Sequence, residues 1–235
     1  MTPFLFRHID EDFAVLEGEE ARHALKVMRS KRGDRLVGID GKGGMYLGKI
    51  TEITKREVTL RILERHPNWG EKPQQITLMI SPLHKNDRFE WLIEKAVELG
   101  VTRIQPYLSK HTVKTGLRPD RLERIMVAAI KQCLRSRLPE LCEIAPLIDL
   151  LTRVPDEMRL IAHGPTGKPM TTFGPKLSNI NAVHLLIGPE GDFAEEELRA
   201  AQDAGFETVA LGHNRLRSET AAIHLLGLVK HYMGY

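Results

Sequence analysis

Over the first quarter of the chain, apolar and polar residues alternate in short runs. After residue 75 each apolar run is followed by helical periodicity, several times over. Arg35-Leu-Val-Gly-Ile-Asp40 and Tyr46-Leu-Gly-Lys-Ile-Thr-Glu-Ile53 alternate as half-buried strands do, and Asp40-Gly-Lys-Gly-Gly44 between them reads as a hairpin turn. Glu57-Val-Thr-Leu-Arg-Ile-Leu63 is a further strand. Ala21, Ala24, Leu25 and Met28 share a face and predict a short helix over 19–28. Several short strands separated by turn signals predict a small barrel. His66-Pro-Asn-Trp-Gly-Glu-Lys-Pro73 breaks both patterns with two prolines and a glycine, and reads as an interdomain linker.

Beyond it, Ile76–Ile80, Arg103–Leu108, Arg159–Ala162, Val183–Ile187 and Thr208–Leu211 are the strand candidates. Helical spacing is predicted over 87–99 with Gly100 as its C-terminal cap, over 119–138 up to Pro139, over 195–204, and in a last helix ending near Met233. Strands alternating with helices predict an α/β domain with a mostly parallel, doubly wound sheet.

Ligands of such sheets sit outside the carboxyl ends of the strands. Ile187-Gly-Pro-Glu-Gly-Asp192 and Leu211-Gly-His-Asn-Arg-Leu-Arg-Ser-Glu-Thr-Ala221 occupy that edge, and Gly188, Gly191 and Gly212 would let the backbone turn sharply against a ligand. Two such turns at neighbouring strand ends would form a crevice made largely of main chain. The spacing does not match the GxGxxG dinucleotide fingerprint, which weighs against a nicotinamide-dependent oxidoreductase. Glu195, Glu196 and Glu197 open the following helix and would repel a phosphate, so a neutral or cationic ligand fits better. Ser218 or Thr220 could serve only to cap the last helix. Capping does not account for Arg217, whose charge adds to the positive end of the helix dipole unless an anion binds there.

Net charge, +3 over 235 residues, names no partner, but its distribution does. Arg22, Lys26, Arg29, Lys31, Arg32 and Arg35 crowd one stretch against the single acid Asp34, a cluster suited to phosphates or simply to solvent. A non-catalytic RNA-binding module would need this cluster and the barrel, yet not the glycine turns. Lys85 and Arg88 follow the first sheet strand at its ligand edge, either as part of a site or as a solvated helix entry capped by Asp87. The two cysteines form no CxxC pair and the histidines show no ligand spacing, so no metal is expected. No secretory pattern or bilayer-length apolar run is present, which predicts a soluble cytoplasmic protein.

Arg7, His23-Ala-Leu-Lys-Val-Met-Arg29, Lys85, Glu94-Lys-Ala-Val-Glu-Leu-Gly-Val101, Lys131-Gln-Cys-Leu-Arg135, Leu138-Pro139, Ile187-Gly-Pro-Glu-Gly191, Leu211-Gly212 and Leu216-Arg-Ser-Glu-Thr-Ala221 follow one another along almost the whole chain. In this order they resemble the RsmE family, the 16S ribosomal RNA (uracil-N3)-methyltransferases of the SPOUT superfamily. Three positions depart from that pattern. Asp192 stands where a second glycine is common, Ser218 where threonine is usual, and Lys131 where an acid is common.

The resemblance implies a PUA-like RNA-binding barrel over 1–70 and a SPOUT methyltransferase domain over 74–235, whose C-terminal backbone forms a trefoil knot. It implies a homodimer, S-adenosylmethionine as cofactor, and 16S rRNA or the 30S subunit as partner. Cofactor contacts are then expected from Leu186, Ile187, Gly188, Gly191, Leu211, Gly212, Leu216, Arg217, Ser218 and Ala221. Arg217 would stabilise the anion formed when uracil loses its N3 proton, as an oxyanion stabiliser does. Glu219 or Glu190 would orient that arginine or remove the proton, and Arg135 would cross a dimer interface to complete the partner's site. RNA would be held by Arg7, His23, Lys26, Arg29, Lys31 and Arg32 of the barrel, with Lys85 and Arg88 beside the site.

Overall fold

The computed structural model describes residues 2–155, 157–164 and 167–234. The chain divides into two compact units, one of residues 1–72 and 127–138, the other of 73–126 and 139–235.

The first unit holds β1 (Phe4–Leu5), β2 (His8–Ile9), β3 (Phe13–Glu17), α1 (Gly18–Arg22), β4 (Arg35–Ile39), β5 (Gly44–Ile53) and β6 (Glu57–Pro67). They form one sheet in the order β1-β4-β5-β6-β3-β2, antiparallel except for β1 on β4. Both edges come from the single segment 4–9. The Phe6 amide donates to Ile39 on one side and the Arg7 amide to Val15 on the other, so the sheet curls back on itself. Period-two alternation turns Leu36, Ile50, Val58 and Leu60 inward onto Phe4, Phe6, Ala14 and Leu16. Gly38 is required by Phe6, because a Cβ there would lie 2.2 Å from the ring. Strand β6 runs on to Pro67, paired with Gly44, and so takes in the first two residues of the expected linker. The predicted helix over 19–28 is α1 followed by a π-helical turn over His23–Val27.

The second unit holds β7 (Gln75–Ile80), α2 (Asn86–Glu98), β8 (Arg103–Leu108), α3 (Pro119–Gln132), β9 (Glu140–Leu141), β10 (Ala145–Pro146), α4 (Leu147–Leu151), β11 (Met158–Ala162), β12 (Lys168–Pro169), α5 (Gly174–Leu177), β13 (Ala182–Ile187), α6 (Glu195–Asp203), β14 (Glu207–Ala210) and α7 (Ser218–Tyr232). Helix α3 runs on from this unit into the first. The sheet is parallel throughout, in the order β10-β8-β7-β13-β11-β14-β12, with β9 also on β8. Central strands β7 and β13 are buried along most of their length, which is why their sequences read as near-unbroken apolar runs.

Helix ends correct several expectations. Lys85, not Asp87, is the residue before α2, and the Asp87 carboxylate accepts the Arg88 amide at 2.9 Å. Gly100 does close α2, in the left-handed region at φ +92°. Helix α3 stops at Gln132 rather than Leu138, because Leu134 turns left-handed at φ +62°. That reversal delivers the Ser136 and Arg137 amides to the Glu71 carboxylate at 2.9 and 2.8 Å. No helix among the described residues is long and apolar enough to cross a membrane.

Candidate functional site

The carboxyl ends of β11, β13 and β14 open into one pocket of about 750 Å³. The two glycine-bearing turns are not at adjacent strands. Strand β11 pairs with β13 on one side and β14 on the other, so the turns flank it. Ala162, His163 and Gly164 at the end of β11 therefore form the pocket floor. Their apolar run was visible as a strand, but nothing local to the sequence says which strands become neighbours.

Ile187, Gly188, Leu211, Gly212, Leu216, Arg217, Ser218 and Ala221 line the pocket as expected residues. Leu186 and Gly191 are not among its lining residues. Successive strand residues point to opposite faces, and Leu186 packs with Met79, Tyr107 and Ile161 in the core. Gly191 lies against His111, where a Cβ would come within 2.9 Å of the histidine Cβ. The left-handed residue of the first turn is neither glycine but Asp192, at φ +67°. A residue lacking Cβ would take that conformation freely, which accounts for glycine being common there; aspartate is one of the few others that tolerates it. Asp192 steadies itself by accepting the Phe193 amide on its own carboxylate at 2.9 Å.

Two side chains hold the first turn and the segment that follows it: Tyr107, which sequence reasoning missed, and Glu197, which it read only as a first-turn acid. Tyr107 is fully buried and its hydroxyl donates at 2.5 Å to the carbonyl of Ile187, a residue that lines the pocket. Burial, then the Glu197 and Asp192 charges, pushes its phenol up, so it stays a neutral donor. Glu197 is buried at the start of α6, where it accepts the Ala194 and Lys110 amides, each at 2.9 Å.

The main electrostatic feature is a fork. Arg88 donates to Glu219 through Nε at 2.7 Å and Nη2 at 2.6 Å, and to Glu190 through Nη1 at 2.6 Å. Glu190 also accepts the His84 amide at 2.8 Å. One guanidinium thus ties the first turn of α2 to the turn after β13 and to the first turn of α7. Burial alone would raise the Glu219 carboxyl, but the Arg88 hydrogen bonds, its own amide and the charges of Arg88 and Arg217 leave it below its usual range. The Glu219 hydrogen bonds in turn hold the Arg88 guanidinium more firmly protonated.

This arrangement corrects three expectations. Glu190 and Glu219 orient Arg88, not Arg217. Arg88, expected to meet RNA, is neutralised inside the site. Arg217 is the residue preceding α7, at φ −70° and ψ 154°, and its exposed side chain lines the pocket. Neither Ser218 nor Thr220 caps the helix, since both lie inside it.

Arg135 does not reach outward to a partner. It is buried and its Nη2 pairs with Glu71 at 3.0 Å, a geometry set by the left-handed turn at Leu134. Lys131 pairs with Glu20 at 2.6 Å within the barrel unit, so a lysine serves there as a tether. Arg7, His23, Lys26, Arg29, Lys31 and Arg32 are all exposed on that unit, and Lys85 is exposed at the entry to α2. Among the described residues, no group of three histidines, cysteines or acids could hold a metal.

Residues 70–230 match the model of an RNA methyltransferase domain, and residues 16–63 that of an RNA methyltransferase PUA domain. A Synechocystis protein named ribosomal RNA small subunit methyltransferase E is 30% identical over 91% of this chain and 71% of its own length. The protein of the same name from Mesomycoplasma hyopneumoniae is 30% identical over 96% of this chain and 97% of its own. The crystal structure of ribosomal RNA small subunit methyltransferase E from Neisseria gonorrhoeae, bound to S-adenosyl methionine, superposes with a TM-score of 0.83 at 29% identity, covering 95% of this chain and 94% of that one.

Proposed function

The chain belongs to the ribosomal RNA small subunit methyltransferase E family, and from that premise we propose that it methylates N3 of a uridine in 16S ribosomal RNA, using S-adenosylmethionine. The pocket fits that cofactor. Its volume of about 750 Å³ lies in the range that encloses a small ligand. Ala162, Ile187, Val209, Leu211 and Leu216 supply apolar walls for an adenine. Gly188 and Gly212 put main chain on the pocket wall, where it would meet a ribose. The His163 Nδ1 is buried and makes no hydrogen bond, with the Asp192 carboxylate standing 3.4 Å away, which leaves a polar group for a ligand to satisfy. The three acids at the start of α6, expected to repel a phosphate, are not among the residues lining the pocket; Glu195 pairs with Arg199, Glu196 with Lys110, and Glu197 accepts backbone amides.

Bound there, S-adenosylmethionine supplies an electrophilic methyl group on a sulfonium. The protein's own task is to make uracil N3 nucleophilic. Arg217 lines the pocket, and among the described residues no carboxylate hydrogen-bonds to it; it stabilises the negative charge that spreads to the uracil carbonyls as N3 loses its proton. Glu190 and Glu219 both accept hydrogen bonds from Arg88, which also helps hold the Glu219 carboxyl below its usual range. They act as anchors for the turns rather than as proton acceptors. The single observation that carries the reading is this contrast, an Arg88 forked between two carboxylates and an exposed Arg217 on the same pocket.

The proposal includes a trefoil knot through the C-terminal loops, a homodimer, and action in the cytoplasm on 16S rRNA or the assembled 30S subunit. Labelled methyl transfer to unmodified small-subunit RNA, followed by identification of the modified nucleoside, tests the reaction. N3-methyluridine is expected; label on any other atom or nucleoside would refute the site assignment. Size measurement in solution tests the dimer.

A further inference from the structure

Three irregularities coincide on the barrel unit. Helix α1 passes into the π-helical turn His23–Val27, which the Met28 amide closes onto the His23 carbonyl at 3.0 Å. Next, Arg29 sits in the left-handed region at φ +54°, a conformation that costs a residue with a Cβ about 1 kcal/mol. Between them Val27 and Met28 are 69% and 48% exposed, although Ala21 and Ala24 one turn earlier are buried. Ordinary α periodicity would put Met28 on the same inward face as those alanines. The π turn takes in one more residue and rotates it off that face.

The surroundings of this tip are cationic. His23, Lys26, Arg29, Lys31 and Arg32 are all exposed within it or beside it. The nearest acids in sequence are partly occupied. The Asp34 carboxylate accepts the Lys31 amide at 2.7 Å, and Glu20 is paired with Lys131. Glu19, exposed in α1, is the remaining acid there. Phosphate binding alone has no use for an apolar centre. A single-stranded polynucleotide offers both phosphates and unstacked base faces at the spacing of neighbouring side chains.

We propose that Val27 and Met28 form a base-contacting tip, packing on an unstacked nucleobase of the substrate RNA while Lys26, Arg29 and Lys31 hold the flanking phosphates. This rests on the RNA-methyltransferase reading and adds a recognition element remote in sequence from the glycine turns. Methionine suits the role, since its polarisable thioether packs favourably against aromatic faces. Base contact is a salt-independent contribution, whereas each phosphate contact adds to the salt dependence of binding.

The test measures binding of the full chain to unmodified small-subunit ribosomal RNA across a salt series, for a Val27→Ser/Met28→Ser variant and a Lys26→Ala/Lys31→Ala variant. Thermal unfolding and Met28→Gln, which keeps the chain length, control for damage to the turn. The first variant is expected to bind about tenfold more weakly at every salt concentration with an unchanged slope. The second is expected to show a shallower slope, by about 0.7 for each single-strand phosphate that the protein no longer neutralises. Wild-type affinity of the Val27→Ser/Met28→Ser protein, with the lysine variant weakened, would overturn the tip and leave the RNA surface standing. Wild-type affinity of both would overturn the RNA surface as well. Unchanged affinity for naked RNA with reduced methylation of assembled subunits would place a protein under the tip and also overturn the proposal.

Discussion

The basic tip of the barrel and the lining of the pocket treat their cations in opposite ways. On the barrel, Lys26, Arg29, Lys31 and Arg32 project into solvent. In the pocket, Arg88 is gripped by Glu190 and Glu219 through three hydrogen bonds of 2.6–2.7 Å. A surface that meets a polyanion gains from charge left uncompensated, because each phosphate contact releases counterions. A pocket that meets a sulfonium gains nothing from a bare cation at its base, and there arginine serves as a structural fork. Arg217 is instructive by contrast. Like Arg215 it lines the pocket yet stays exposed, and in the proposed reaction its charge would meet the anion formed on uracil.

Replacing Arg217 with Ala breaks the comparison most severely. Turnover should fall about 10²–10³-fold, the loss typical of one oxyanion donor, while cofactor binding measured by calorimetry stays near wild type. Equal losses in both would make Arg217 a cofactor ligand instead. Arg88→Met comes next. It leaves Glu219, only 7% exposed, without its counter-ion, and should lower unfolding stability in urea by about 2–4 kcal/mol.

The pH dependence sharpens this second prediction. Glu219 in the wild-type fold lies below the ordinary carboxyl value of 4.5, so its contribution is present above that pH and disappears as pH falls through the lowered value. In Arg88→Met burial acts on the carboxyl with less opposition and raises it, so acidification relieves the variant. The stability gap between the two proteins should therefore begin to narrow at the variant's raised value, above pH 4.5, and go on closing as pH falls through the lowered wild-type value; a constant gap would show that Arg88 acts through packing alone.

The smallest effect concerns Asp192. Asp192→Ala should be less stable than Asp192→Gly by about 1 kcal/mol, since only glycine adopts φ +67° without strain. Equal stability of the two variants would mean that the turn relaxes once the carboxylate is gone.

Much of the scaffold was legible from periodicity. Strands β4, β5, β7 and β13 and helices α2 and α7 lie within a few residues of their predicted bounds, because each is stabilised by a pattern of two or 3.6 residues read within itself. The C-terminal part of the 119–138 helix was not legible. Its apolar spacing continues past Gln132, but the tertiary pull of Glu71 on the Ser136 and Arg137 amides wins over local propensity. Met28 failed similarly, because a π turn changes the period that the pattern assumes.

The candidate site divides along the same line. The sequence by itself determined that two turns rich in glycine would sit at strand ends and that side-chain capping would not account for Arg217. Those conclusions depend on neighbours within a few residues, through backbone freedom and the helix dipole. Only the tertiary structure decided that β11 lies between the turns and that Arg88 meets Glu190 and Glu219, which follow it by 102 and 131 positions. Strand order and long-range ion pairs are set by how layers pack, and no local period in the chain encodes which loops that packing brings together.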